Sequence, residues 1–289
     1  MHSNIYKNRL FDKYSVTGNT PQHSINNRVE QSMGYIRSRI DNFGPNTGII
    51  LGTGLGGLVR EVEIKFKLDY KDIPHFPVST VESHHGNLIF GRISNHNAVV
   101  MQGRFHYYEG YRLDEVTYPL RIMQKLGVHT LLVSNACGAV NPLFHRGELM
   151  IMRDHINFLF DTPLKGFKMK YMNKVIYDRE LIKTAEDVAI ENHIPVRKGV
   201  YCSFRGPSLE TRSEYRMARR LGADVVGMST IPEALLSKSH DLRVLGFSIV
   251  TDLGFPDSLV PAKIEEILET AADAEPKLTL LMKKIIEKL

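Results

Sequence analysis

The residues best suited to chemistry fall into four groups. Arg104-Phe105-His106-Tyr107-Tyr108 follows an apolar run, and a period of two would place Arg104, His106 and Tyr108 on one side. Arg could clamp an oxyanion, His could donate or exchange a proton, and Tyr could hold a hydroxyl. Gly52-Thr53-Gly54-Leu55-Gly56-Gly57 follows the apolar stretch Thr47–Leu51. Its glycines permit a tight turn whose N–H groups face an anion, with the Thr53 hydroxyl beside them. A turn needed only for packing would read the same way. Of the pair His84-His85, one could donate to phosphate, or both could face solvent. The last group, Glu210, Met228-Ser229 and Asp252, sits at strand termini, where convergence on a cleft and plain helix capping are both open. His155 reads as structural.

Gly52, Gly54 and Gly57 satisfy GxGxxG, and Asp69 lies near the spacing of a ribose-binding acid. Taken alone, that pattern favours a dinucleotide site and an NAD-dependent oxidoreductase. No GK[ST] ending, Gly-x-Ser-x-Gly elbow or CxxC zinc spacing is present, so a triphosphate loop, a serine-hydrolase elbow and a zinc site are disfavoured. The two cysteines, Cys137 and Cys202, make a disulfide framework improbable and point to a reducing, cytoplasmic setting. Near the N-terminus no apolar segment follows Lys7 and Arg9, so no secretory signal is visible.

The elements that must position these groups alternate along the chain. An amphipathic helix is predicted over Asn26–Ile40, and strands over Thr47–Leu51, Asn87–Phe90 and Asn97–Met101, the last two joined by a turn at Gly91–Asn95. Leu113–Leu126 reads as one helix tolerating Pro119, Thr130–Val133 as a strand, Leu149–Ile151 as a short apolar run, and Asp154–Tyr171 as an irregular loop. A helix over Thr184–Asn192 and a strand over Lys198–Phe204 follow. Thr211 and Glu214 have capping-box spacing and open a helix to Leu221. Val225–Met228 and Leu242–Thr251 are strands, Pro232 suits the first turn of a helix, and Pro261–Leu289 is helical with a break at Pro276. The expectation is a single α/β domain over residues 1–289, a mixed central sheet with helices on both faces, and a loosely ordered segment over 1–23.

With 289 residues, 43% hydrophobic and 24% charged, the chain can fill a core and is not a disordered protein. No apolar run approaches the roughly 20 residues that cross a bilayer. A net charge of +5, dispersed among acids, suits small anions better than nucleic acid.

The ordered motifs are longer than any of these patterns. Gly52–Leu58, His84, QGRFHYYEG at 102–110, Asn135–Gly138, Asn141-Pro142, Arg153–Asn157, Gly206–Glu210, GADVVGMSTIPE at 222–233 and Phe247–Asp252 together resemble the trimeric purine nucleoside phosphorylases, with methylthioadenosine phosphorylase as a relative. The resemblance runs from about Gly44 to the end and implies an α/β domain whose mixed sheet is partly closed into a barrel. It implies a homotrimer with an aromatic ring lent by the neighbour, for which Phe167 and Tyr171 are candidates. The implied reaction is reversible cleavage of a purine (deoxy)ribonucleoside by inorganic phosphate, without metal or cofactor. Thr53, His84, Arg104, His106, the Ala136 N–H and Ser229 match phosphate positions, and Tyr108, Met228 and Ile264 match ribose positions. Glu210 and Asp252 match purine positions, and with His106 they are the catalytic candidates.

Two departures bear on substrate. Asp252 stands where 6-oxopurine enzymes of the family usually carry asparagine, and an ionised carboxylate accepts from an amino group but cannot donate to a carbonyl. Ile264 stands where a histidine usually meets the 5′-hydroxyl, which would suit a 5′-methylthio group. The wording around Glu210 and QGRFHYYEG is closer to the inosine/guanosine enzymes. Inosine/guanosine phosphorolysis is therefore the leading expectation. Adenosine or methylthioadenosine phosphorolysis is the rival, with an NAD-dependent oxidoreductase and a non-enzymatic nucleoside-binding protein behind it.

Overall fold

The computed structural model describes residues 21–78, 85–166 and 175–289. The segment expected to be loosely ordered lies mostly outside them, as do His84, Phe167 and Tyr171. The first helix, α1 (Pro21–Arg37), begins before its predicted start. Val29, Met33 and Ile36 on its inner stripe are each at most 2% exposed, and burying such side chains contributes roughly 1.5–3 kcal/mol apiece.

Among the described residues the sheet has nine strands: β1 (Thr47–Leu51), β2 (Glu63–Asp69), β3 (Asn87–Ile93), β4 (His96–Gln102), β5 (Thr130–Ala139), β6 (Leu149–Asn157), β7 (Val196–Ser203), β8 (Val225–Gly227) and β9 (Arg243–Leu253). Their order is β2-β3-β4-β1-β5-β8-β7-β6-β9, and a further β5–β9 pairing closes five of them into a barrel. The mixed, partly closed sheet is as expected. Its parallel pairs include β1–β4, β1–β5, β5–β9, β6–β7 and β7–β8. Every residue of β1 is buried, as a central parallel strand covered on both faces requires.

Several strands run past their predicted ends. β5 continues through Ser134–Ala139, and β6 takes Asp154–Asn157 from the predicted loop. The β6–β7 register shifts between Met152 and Asp154. A bulge there breaks the alternation by which a strand is recognised. The predicted turn at Gly91–Asn95 is tighter, since Gly91–Ile93 belongs to β3. The helix predicted over Leu113–Leu126 is two, α2 (Leu113–Val116) and α3 (Tyr118–Lys125). Thr117 separates them and Pro119 sits in the first turn of the second, where its missing N–H costs nothing.

The remaining helices are α4 (Arg179–Glu191), α5 (Arg212–Arg220), α6 (Ile231–Ser239) and α7 (Ile264–Ile286). The capping box predicted at Thr211 and Glu214 opens α5. α7 passes through Pro276 unbroken, held by Leu278, Leu281 and Ile285, each at most 2% exposed.

The dinucleotide reading of the glycine cluster does not survive the topology. Gly56–Glu61 is a 3-10 turn, and β2 is an antiparallel edge strand separated from β1 by β3 and β4. Asp69 caps a short 3-10 turn and pairs with Lys71 at 3.0 Å. The glycines serve close packing instead. A Cβ on Gly52 would lie 2.8 Å from both the Asn135 Cα and the Ser134 carbonyl, and backbone cannot swing aside. The substitution G52A should therefore force β1 away from β5. We expect a melting temperature lower by more than about 3 °C, read by scanning calorimetry, whereas G56A, with open space at its Cβ, should leave it unchanged.

Candidate active site

The cavity opens at the carboxyl ends of β1, β4, β5 and β9, where open α/β sheets present ligand groups. Its volume is ≈ 170 Å³, and its walls include Thr53, Arg104, His106, Tyr108, Ala136, Glu210, Met228, Ser229, Asp252 and Ile264. All the predicted site residues but His84, which lies outside the described residues, therefore meet at one place. Strand register is the cause. Leu51 pairs with Gln102 and Ile50 with Val133, so Thr53 and Arg104, just past β1 and β4, lie level with Ala136 within β5.

Arg104 is 1% exposed. The two N–H groups of its Nη1 reach three acceptors, one of them shared: the Ser134 carbonyl (2.9 Å), Ser229 Oγ (3.0 Å) and Thr230 Oγ1 (3.2 Å). Its Nε lies 3.2 Å from Glu233 Oε1, a carboxylate in the first turn of α6. Past Arg104 the chain leaves the sheet, yet the alternation still holds. Phe105 turns into the core against Tyr70, with ring centroids 5.3 Å apart, while His106 and Tyr108 face the cavity and stack at 4.7 Å. Glu109 accepts from the His106 backbone N–H at 2.8 Å and lies 3.0 Å from Nδ1. A carboxylate there fixes the proton on Nδ1 and turns Nε2 toward the cavity. Burial pushes the Tyr108 hydroxyl up to about 12, so it stays a neutral donor.

The opposite end of the cavity is acidic. Glu210 is 7% exposed and Asp252 8%. Glu210 Oε1 has no hydrogen-bond partner among the described residues. Burial raises its pKa to about 7, against the pull of its own backbone N–H and of Tyr215, and with a further push from Asp252. Burial also raises Asp252, while the Thr251 hydroxyl and the Arg146 charge lower it. A bulge aims Asp252. Cys137 pairs with Val250 but Gly138 pairs with Asp252, so Thr251 is the extra residue and joins Asp252 in the cavity wall. Gly138 leaves room for the carboxylate, as a Cβ there would stand 2.7 Å from Asp252 Oδ2.

Met228 is part of the wall, and Ile264, the first residue of α7, lines the cavity at 59% exposure. His155 is not in the cavity wall; its Nδ1 lies 3.2 Å from the Tyr177 hydroxyl. Asn135, Thr230, Glu233 and Thr251 were not singled out from the sequence. The register of β5 places Asn135, the bulge places Thr251, and the turn before α6 places Thr230 and Glu233; none of these leaves a pattern in composition.

A cavity that gathers a buried guanidinium and hydroxyls at one end and two buried carboxylates at the other suits a substrate that is anionic at one end and hydrogen-bonding at the other. The model of the phosphorylase superfamily matches residues 46–287. Purine nucleoside phosphorylase 1 of Bacillus subtilis (strain 168) is 41% identical over 268 residues, 91% of this chain and 98% of that one. Purine nucleoside phosphorylase of Bos taurus is 42% identical over 258 residues, 83% and 89% of the two chains. The crystal structure of schistosoma purine nucleoside phosphorylase in complex with hypoxanthine aligns with a TM-score of 0.82 at 38% identity, covering 91% and 97%. The chain belongs to the phosphorylase superfamily and, within it, to the purine nucleoside phosphorylases. It is an enzyme that cleaves purine nucleosides with inorganic phosphate to free base and ribose 1-phosphate.

The elevated pKa of Glu210 has a consequence for stability in the absence of ligand. Between the unfolded carboxylate range and about 7 the native state holds the extra proton, so stability falls as pH rises through that window. E210Q removes this dependence. Urea unfolding between about pH 5 and 8 should show a decline of roughly 2–3 kcal/mol in the parent and a flatter profile in E210Q.

Proposed function

We propose that Thr53, Arg104, Ser229 and the Ala136 N–H hold phosphate and that Glu210 and Asp252 hold the purine, with inosine and guanosine as preferred nucleosides. The observation that carries this reading is that Thr53, Arg104 and Ser229 line the same cavity as the two carboxylates. His106 then stands between phosphate and sugar, Tyr108 and Met228 pack beside the ribose, and Ile264 lies toward its 5′ end. His84 keeps its proposed phosphate role from sequence alone.

The glycosidic bond leaves through a state that is positive at the sugar and increasingly negative on the base. A phosphate beneath the sugar stabilises the first charge and is the nucleophile, so donors converging on it both orient and activate the attack. Ionised Glu210 accepts from the N1–H of a 6-oxopurine, and its tie to Tyr215 holds that carboxylate in place. Asp252 donates to the 6-oxo group, or to N7 of the departing base, only while protonated. Its raised pKa favours that form, and its ionised form accepts from a 6-amino group. One site can thus take both purine classes, and Asp252 sets the balance. Adenosine or methylthioadenosine remains the second reading, favoured by the acid at Asp252 and the apolar rim at Ile264.

A homotrimer and a cytoplasmic setting complete the proposal. Phe160, 79% exposed and stacked on Phe158 at 5.6 Å, offers a face for another copy, and both cysteines are unpaired and buried. No helix among the described residues is long and apolar enough to cross a membrane. Sedimentation equilibrium should return the mass of three chains.

A substrate panel with and without inorganic phosphate tests the preference. Hypoxanthine release from inosine should require phosphate and exceed adenine release from adenosine. D252N supplies a permanent amide donor and should raise the inosine-to-adenosine ratio of kcat/KM by about 10-fold or more. An unchanged ratio would remove Asp252 from base recognition.

A further inference from the structure

The turn that carries Ser229 into the cavity is strained. Thr230 has φ 70° and ψ −45°, a region that a β-branched residue enters only when its surroundings hold it there. Across it the Ile231 N–H donates to the Ser229 carbonyl at 2.8 Å, closing a γ-turn of the uncommon positive-φ kind. Glycine would adopt these angles without strain, so the threonine side chain must supply something that glycine lacks.

It supplies a buried hydroxyl at the centre of the anion end. Asn135 Nδ2 donates to Thr230 Oγ1 at 2.8 Å and Arg104 Nη1 donates at 3.2 Å. An amide NH₂ and a guanidinium can only donate, so both lone pairs of the hydroxyl are taken. Its own proton is left for Ser229 Oγ, 3.2 Å away. Ser229 Oγ also accepts from Arg104 Nη1 at 3.0 Å. With those two donors on one side, the Ser229 proton points away from them, toward the cavity and the Tyr201 hydroxyl, which accepts from the Ser229 backbone N–H at 3.1 Å. Glu233, on the first turn of the same helix, holds the Nε edge of Arg104. Thr230 is thus the atom-level joint between β5, the segment after β4 and the start of α6.

We propose that Thr230 is a positioning residue: its hydroxyl, fixed by the strained turn, sets Arg104 in place and directs the Ser229 hydroxyl as a donor to phosphate. The proposal rests on the reading of Arg104 and Ser229 as phosphate ligands. Backbone strain is kept here because the chain must place a hydroxyl, and not merely a turn, at this point.

The test compares T230S, T230V, T230G and R104M in the full chain. Phosphate is varied at a saturating purine nucleoside, nucleoside affinity is measured by calorimetry without phosphate, and melting temperatures are recorded. T230S keeps the hydroxyl and should stay within about 3-fold of the parent in kcat/KM for phosphate. T230V and T230G should fall by about 10-fold or more, with nucleoside affinity within about 2-fold. T230G should nevertheless melt higher than T230V, because its backbone is relaxed. Recovery of phosphate kcat/KM in T230G together with melting temperature would overturn the proposal, as would parent-like T230V or an equal loss of nucleoside affinity. If T230V does not fold, the comparison of T230S with T230G decides. An R104M variant with intact phosphate kinetics would defeat the phosphate-site reading itself. Impaired R104M beside intact T230G would defeat only the role of Thr230.

Discussion

A guanidinium that is 1% exposed has exchanged water for whatever the fold can put around it. Left without a counter-charge it would be strongly destabilising, and it needs acceptors arranged in the plane of its fork. Glu233 from α6, the Ser134 carbonyl from β5 and the hydroxyls of Ser229 and Thr230 meet that demand. None of these is near Arg104 in sequence. Compensating one buried cation therefore obliges the end of β4, the middle of β5 and the start of α6 to meet, and the cavity is the space they enclose.

The same cluster explains the electrical character of the site. The Arg104 charge is balanced by Glu233 on its inner edge, so the attraction for an anion is local and directional and does not spread over a basic surface. At the far end burial raises both Glu210 and Asp252. Two buried carboxylates that face each other's charge resist ionising together. On the proposed reading, a purine whose edge offers N–H donors relieves that tension, which ties recognition of the base to the protonation of the two acids.

Much of this was legible in the residues. Thr53, Arg104, His106, Tyr108, Glu210, Ser229 and Asp252 announced themselves by type and by standing just past apolar runs, and all of them line the cavity. Strand cores, the start of α5 and the mixed sheet were legible because burial on one or both faces leaves a hydrophobic record. Bulges leave none. The register shift that takes β9 past Thr251 and the one that carries β6 beyond Met152 depend on partner strands far away in sequence, so β6 was read as ending early. The glycine motif misled for a related reason. Gly52 answers to the backbone of β5, a neighbour that its spacing cannot reveal.

Residue types and their local spacing establish which groups are on hand: a strand-following glycine turn with a hydroxyl, an Arg-His-Tyr alternation, two acids and a serine, and enough apolar residues in the right periods for an α/β sheet. Those properties are local, set by side-chain chemistry and by the repeat of helix and strand. That they face one another, that Asp69 stands on a remote edge strand, and that Thr230 is held at a positive φ are settled by long-range packing. These outcomes arise from pairing between distant strands and from the need to satisfy a buried charge, and no stretch of chain carries either by itself.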